Sequence, residues 1–322
     1  MSKDIVFLIN RSEITAGTRG ASLGPEAIIT AARKYGKSFF GDFPIEVIED
    51  VNYLLDSPTN HKFAKRIDGL LAVYNELNEK VSGLLLSNKF PLVLAADHGS
   101  AGGTIAGIKS AFPTKKLGIV WIDAHADIHT PYTTPSGNMH GMPLATVLND
   151  DNLPCMLNDL TDETISYWEK LKQVGGIMPK ASADDLVYIA VRDTEEQEDR
   201  IIERLNIKNY PVKELREKGV SSVMHEIENK LSDCDLIYVS FDVDSMDPDI
   251  TSHGTGTPVK NGLHPNEAEE MLTFFAKNEK TVCIEFVEVN PCLDEKINKM
   301  AEVTMNLVES VLNAVEVEKI RS

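Results

Sequence analysis

Basic side chains are scarce in this chain: 32 lysines and arginines stand against 50 aspartates and glutamates over 322 residues, a formal charge of −18 at pH 7. Nucleic-acid phosphates require a basic surface, so the expectation is no nucleic-acid partner. An anionic membrane surface is disfavoured for the same reason, whereas a small cationic substrate suits an acidic protein. Cysteine is also sparse. Cys155, Cys234, Cys283 and Cys292 are scattered without Cys-x-x-Cys spacing, which reads as buried free thiols and not as a disulfide framework or thiolate metal site. No apolar run approaches the length of a bilayer crossing. The N-terminal "MSKDIVFLIN" has only a short apolar run and no cleavage site, so a cytoplasmic protein is expected. Linkers, repeats and low-complexity tracts are missing too, and 1–322 reads as a single domain.

What the chain does have is alternation. Short apolar runs stand at 5–9, 91–96, 117–122, 186–191, 236–241 and 282–287, with weaker ones at 45–49 and 209–212. Continuous apolar runs fit strands buried on both faces of a parallel sheet. Between them lie segments with helical periodicity near 25–35, 63–85, 163–173, 196–205, 221–232, 265–277 and 297–316. This alternation predicts a three-layer α/β/α fold around a mainly parallel, roughly eight-stranded sheet.

Four of the apolar runs end in acids or histidine. They lead into Asp97-His98, into Asp123-Ala-His125-Ala-Asp127, into Asp242-Val-Asp244, and into Glu288. A lone acidic pair after a strand is usually a turn or a helix cap. Four such clusters are different, because sites in open parallel sheets form beyond the carboxyl ends of the strands. If His98, Asp123, His125, Asp127, Asp242 and Asp244 meet, four buried carboxylates repel one another unless cations neutralise them. Two divalent ions would do so. A set of carboxylate and imidazole without thiolate favours manganese over softer metals. The spacing by two predicts that an extended backbone aims Asp123, His125 and Asp127 to one side, and likewise Asp242 and Asp244. The residues alone thus point to a dinuclear metallohydrolase, with a metal-activated water as nucleophile.

The stretches "AADHGS" (95–100), "WIDAHADIHTP" (121–131), "SGNMHGMP" (136–143), "VRDTEEQE" (191–198), "SFDVDSMDP" (240–248), "GTGTP" (254–258) and "EVNP" (288–291) come in the order of a known family. The chain resembles the arginase/agmatinase (ureohydrolase) superfamily over essentially its whole length, and within it the arginase branch. "GTRGASLGP" (17–25) is similar to that family's Gly-rich loop. The resemblance implies two Mn2+ ions per subunit, one held by His98, Asp123, Asp127 and Asp242, the other by Asp123, His125, Asp242 and Asp244. It implies that a metal-bridging hydroxide attacks the guanidinium of L-arginine, giving L-ornithine and urea. His140 then matches a proton shuttle to the leaving amine, Glu288 the carboxylate that pairs with the guanidinium, and Thr257 a threonine lining the site. Ser136 and Asn138 match groups that hold the α-carboxylate. A trimer or hexamer is implied as well, although the apolar stripe on 297–316 reads equally as packing on its own sheet.

Two positions depart from the pattern where the amino-acid end of the substrate would bind. His129 stands where arginases carry asparagine in DINTP. Arg192-Asp193-Thr194-Glu195 stands for RDxD, so that Glu195 replaces an aspartate contacting the α-amino group, and Glu198 matches a nearby family acid. His129 is therefore expected in substrate binding and not as a seventh ligand. The alternatives are a related substrate (agmatine, a guanidino acid or formiminoglutamate) or a metal-binding regulatory protein without turnover. The SGNxHG stretch favours arginine, because agmatine has no carboxylate to hold.

Overall fold

The structure, a computed structural model, describes residues 4–321, and side chains as far as residue 315. Residues 1–3 of the N-terminal stretch 1–10, and the domain limits at 1 and 322, lie outside the described residues. Eight strands form: β1 (Asp4–Asn10), β2 (Ile45–Ile48), β3 (Lys89–Ala95), β4 (Leu117–Ile122), β5 (Leu186–Ile189), β6 (Lys208–Tyr210), β7 (Leu236–Asp242) and β8 (Thr281–Val287). All pair in parallel in one sheet of order β2-β1-β3-β8-β7-β4-β5-β6. The helices in chain order are α1 (Gly24–Lys34), α2 (Phe39–Asp42), α3 (Ile67–Leu86), α4 (Ala101–Ala111), α5 (Pro143–Leu148), α6 (Asp162–Gln173), α7 (Glu196–Leu205), α8 (Val212–Lys218), α9 (Val220–Lys230), α10 (Pro265–Lys277) and α11 (Lys299–Arg321).

Alternate strand residues feed two cores, which is why the apolar runs are continuous. Phe7, Leu92, Val120, Val239 and Ile284 face one layer, with Ile28, Val223, Met271 and Val308 of α1, α9, α10 and α11. Leu8, Val93, Ile119, Tyr238 and Cys283 face the other, with Leu77, Ile105, Val147 and Ile201 of α3, α4, α5 and α7. The result is the three-layer α/β/α arrangement. The stripe Met305, Val308, Val311 and Leu312 of α11 is buried in the first core, so it packs on its own sheet. Two expectations are corrected. Cys234 and Cys283 are buried, but Cys155 is half-buried and Cys292 exposed. The strand expected at 209–212 stops at Tyr210, because Pro211 precedes helix α8 and supplies no N–H to continue the ladder.

Candidate active site

The sheet order itself assembles the polar clusters. β3, β8, β7 and β4 are consecutive in the sheet, and these are the four strands whose carboxyl ends carry Asp97-His98, Glu288, Asp242-Asp244 and Asp123-His125-Asp127. Beyond them opens a cavity of about 300 Å³ lined by His98, His125, Asp127, Asp242 and Asp244 among others.

Extended alternation is not what aims these side chains. β4 ends at Ile122, and the Asp123 carboxylate accepts the backbone N–H of His125 at 2.7 Å. Asp242 does the same for the N–H of Asp244 at 2.8 Å. Each aspartate thus closes a tight turn through its own side chain. Asp127 then adopts a left-handed backbone, φ 49°, and the chain reverses. The three residues after β4 converge because the loop curls, and the expectation of an extended segment is corrected on that point.

Two groups able to hold a metal ion result, His98 with Asp123 and Asp127, and Asp123 with His125 and Asp244. His98 Nδ1 lies 3.0 Å from Asp123 Oδ2, 3.1 Å from Asp127 Oδ2 and 3.2 Å from Asp242 Oδ2, yet it is buried and makes no hydrogen bond. A buried ring nitrogen facing three carboxylates without a bond is a ligand atom in want of a cation. Its other nitrogen is fixed 2.7 Å from Ser240 Oγ, and its ring stacks on Trp121 with centroids 3.9 Å apart. Such outer contacts orient a metal-binding imidazole. His125 Nδ1 is 3.0 Å from Asp244 Oδ2 and 3.6 Å from Asp123 Oδ1. Asp123 therefore turns one oxygen to each group, with Trp121 Nε1 donating to Oδ2 at 2.9 Å. Asp242 joins the His98 group through Oδ2.

The electrostatics agree with a missing positive charge. Burial, and then the charge of Asp123, push the Asp127 carboxyl up to about 6. Burial and the charges of Asp244 and Asp123 hold Asp242 well above the carboxylate range, and burial raises Asp244 as well. Burial also opposes the charge of Asp123, but the neighbouring imidazoles of His125 and His98 outweigh it and hold the carboxyl low. Without cations the cluster must keep protons it would otherwise release. Two divalent ions fit this donor set.

His140 and Glu288 lie together, with His140 Nδ1 3.4 Å from Glu288 Oε1. Burial works against a charged His140, but the Glu288 contact outweighs it and raises the imidazole above its ordinary value. Glu288 Oε1 also accepts the N–H of His98 at 3.0 Å, and its backbone is left-handed, φ 68°. Thr257 donates to Asp244 Oδ2 at 3.1 Å.

The cavity is lined further by a neutral stretch, Thr134, Ser136 and Asn138, and by an acidic one, Asp193, Glu195 and Glu198. His129 lines the cavity too, and both of its ring nitrogens are engaged, Nδ1 3.0 Å from Thr133 Oγ1 and Nε2 2.9 Å from Glu195 Oε2. The two departures from the family pattern are therefore bonded to each other. His129, through this bond, pulls Glu195 down to about 2. Glu195 and Glu198 also form the capping box of α7, so both acids have a helix-terminal task beside any contact with substrate.

Three residues that build the site were not singled out from the sequence as site residues. Ser240 and Trp121 stand two positions before Asp242 and Asp123 on their strands, and a polar serine inside the apolar run of β7 was the available signal. Asp97 is buried beside His98 and pushed up to about 7 by burial and by Glu288. It accepts the N–H of Thr15 at 3.0 Å, and the Thr15 carbonyl in turn accepts the N–H of His140 at 3.4 Å.

The sequence model of the arginase family matches residues 3–313. The chain belongs to the arginase family. The arginase of Bacillus subtilis (strain 168) is 33% identical over 312 residues, covering 97% of this chain and 98% of that protein. The arginase of Bacillus caldovelox is 35% identical over 305 residues, 91% of this chain and 92% of that one. The crystal structure of the Bacillus subtilis arginase superposes with a TM-score of 0.78 over 96% of this chain and 98% of the other. The chain is thus an arginase-family hydrolase, with clustered Asp and His residues placed to bind metal. Among the described residues no helix is long and apolar enough to cross a membrane.

Proposed function

We propose that this arginase-family hydrolase cleaves L-arginine to L-ornithine and urea. The observation that carries the reading is Asp123, which offers one oxygen to each of two histidine–carboxylate groups at a cavity lined by both neutral and acidic side chains. The proposed ligands are His98, Asp123, Asp127 and Asp242 for one Mn2+, and Asp123, His125, Asp242 and Asp244 for the other. When bound, such a pair lowers the pKa of a water shared between them and supplies the nucleophile at neutral pH.

The protein's own groups do the rest. Glu288 holds the planar guanidinium through charge-assisted bonds, and Thr257 steadies Asp244 at the rim. Water adds to the guanidinium carbon, the bond from that carbon to the side-chain nitrogen breaks, and the departing amine takes a proton. His140, whose hold on a proton Glu288 strengthens, is placed to give it. Ser136 and Asn138 receive the α-carboxylate, while Asp193, Glu195 and Glu198 face the α-amino group. His129 sets the position of Glu195 between them. As the family resemblance implies, the protein works in the cytoplasm as a single-domain subunit of a homo-oligomer, a trimer or hexamer.

Urea release from L-arginine, agmatine and 4-guanidinobutyrate by manganese-loaded protein tests the reading. Arginine is expected to be strongly preferred. Preference for a compound lacking the α-carboxylate overturns it, and absence of turnover on all three returns the chain to the non-catalytic alternative.

A further inference from the structure

The segment that builds the neutral lining of the cavity from outside has no part in the mechanism so far. Residues 62–65 run directly against the loop of Ser136, Gly137 and Asn138. The N–H of Lys65 donates to the Gly137 carbonyl at 2.8 Å. Gly137 is left-handed, φ 76°, and a Cβ there would sit 2.1 Å from the Lys62 carbonyl oxygen, so only glycine permits this approach. The Lys65 ammonium donates to Asn138 Oδ1 at 3.0 Å.

That last bond decides which way the Asn138 amide faces. An ammonium can only donate, so Oδ1 is turned to Lys65 and Nδ2 is turned away from it. Nδ2 donates to no protein group among the described residues, although Asn138 lines the cavity. Room for it is left by Gly17, where a Cβ would come within 2.8 Å of Nδ2. A charged donor on the carbonyl oxygen also polarises the amide and strengthens its N–H groups as donors. Meanwhile His129, the nearby imidazole, has both nitrogens committed to Thr133 and Glu195. Of the remaining lining, Asp193, Glu195 and Glu198 are acids, which leaves Asn138 and Ser136 as donors for an entering carboxylate.

We propose that Lys65 is a positioning residue for carboxylate recognition: it fixes and polarises the Asn138 amide so that Nδ2 meets the substrate's α-carboxylate. The inference rests on the arginine reading above and deepens it. Lys65 itself touches no reacting atom, and its effect belongs to binding and not to bond cleavage.

The test compares wild type, K65M and K65R, each loaded with manganese. Steady-state kinetics on L-arginine are paired with calorimetric binding of L-ornithine and of 1,4-diaminobutane, its analogue without the carboxylate. K65M is expected to raise the KM for arginine and the Kd for ornithine about five- to tenfold, the loss of one charge-assisted contact. It should leave kcat within about twofold and 1,4-diaminobutane binding unchanged. K65R, which keeps a cationic donor, should recover part of the loss. An unchanged ornithine Kd in K65M, or an equal weakening of 1,4-diaminobutane, overturns the proposal. A wild-type protein that releases no urea from arginine overturns the underlying reading instead.

Discussion

Replacing His129 with asparagine separates substrate contact from metal binding within a stretch of seven residues. The change removes two hydrogen bonds, one to buried Thr133 and one to half-exposed Glu195. The first is worth about 1 kcal/mol and the second less, because water screens it. For a chain of 322 residues the unfolding entropy is about 0.7 kcal/mol/K, so the expected loss in Tm is about 2 °C. Asparagine offers a free amide where the imidazole was committed, and it releases Glu195. The KM for arginine should therefore move about three- to tenfold, a change of roughly 1 kcal/mol, with kcat little altered. D127N, two residues earlier, is the counterpart. It keeps the shape of the side chain but removes a carboxylate 3.1 Å from His98 Nδ1. Metal content should fall towards one ion per chain and kcat by about a hundredfold or more, beyond what outer contacts cost. The assays are metal analysis after gel filtration and urea release on the same samples. Loss of a metal equivalent in H129N refutes the division of roles. It would place His129 with Glu195 and Glu198, a third group whose ligand atoms lie close enough together to hold an ion.

Chelation followed by calorimetry should lower Tm, because ions bind only the folded cluster. At a free metal concentration a thousandfold above Kd the linkage is worth about 4 kcal/mol, about 6 °C for a chain of this size, and an unchanged Tm after verified metal removal counts against a buried metal centre. Lys180 supplies a pH prediction far from the site. It is buried with only the Lys172 carbonyl as partner, and burial lowers its amine to about 8. Because the folded value lies below the ordinary 10.5, the cost of carrying its charge is full below pH 8 and vanishes as pH rises towards 10.5. K180M should thus be more stable than wild type at pH 7, by up to about 3 kcal/mol, and the gap in Tm should close between about pH 8 and 10.5. A gap independent of pH would show that burial leaves the Lys180 amine at its ordinary value.

The six inner strands were legible because parallel strands buried on both faces leave uninterrupted apolar runs, whereas the edge strands β2 and β6, less buried, left only weak ones. Helix α4 was not legible. Its sequence, Ala101 to Ala111, contains Gly102, Gly103 and Gly107, poor helix formers, and nearly every residue is buried, so no polar face marks a period. The glycines are there for closeness. A Cβ at Gly102 would lie 2.2 Å from the Tyr74 hydroxyl and one at Gly107 2.6 Å from Val81 Cβ, so α4 packs directly on α3 and carries the turn of His98 at its start. Residue types at the site were equally legible, since the chemistry of four acid clusters constrains what can neutralise them. Their geometry was not, because a tight turn closed by a side chain looks the same in sequence as an extended alternation. The bond between His129 and Glu195 was out of reach for another reason. It joins residues 66 positions apart, and only the order of β4 and β5 in the sheet brings them together.

The strand ends show what the site costs the fold. Asp127, Ala190 and Glu288 all have left-handed backbones, with φ of 49°, 71° and 68°, and each lies just after a strand that delivers residues to the cavity. For residues other than glycine this conformation costs about 1–2 kcal/mol each. Glycine would remove the strain, but at 127 and 288 it would also remove a carboxylate from the point of the loop nearest the cluster. The turn and the charge are needed at the same residue, and so the strain persists. Ala190 carries no such charge, and its φ serves the residues beyond it. The N–H groups of Arg192 and Asp193 both reach the Ala124 carbonyl, at 2.9 and 3.0 Å. That tie brings the chain carrying Asp193, Glu195 and Glu198 against the loop of His125. The acidic lining and the metal-binding loop are therefore joined through backbone, and a substitution that loosened the turn at Ala190 would disturb substrate binding and metal binding together.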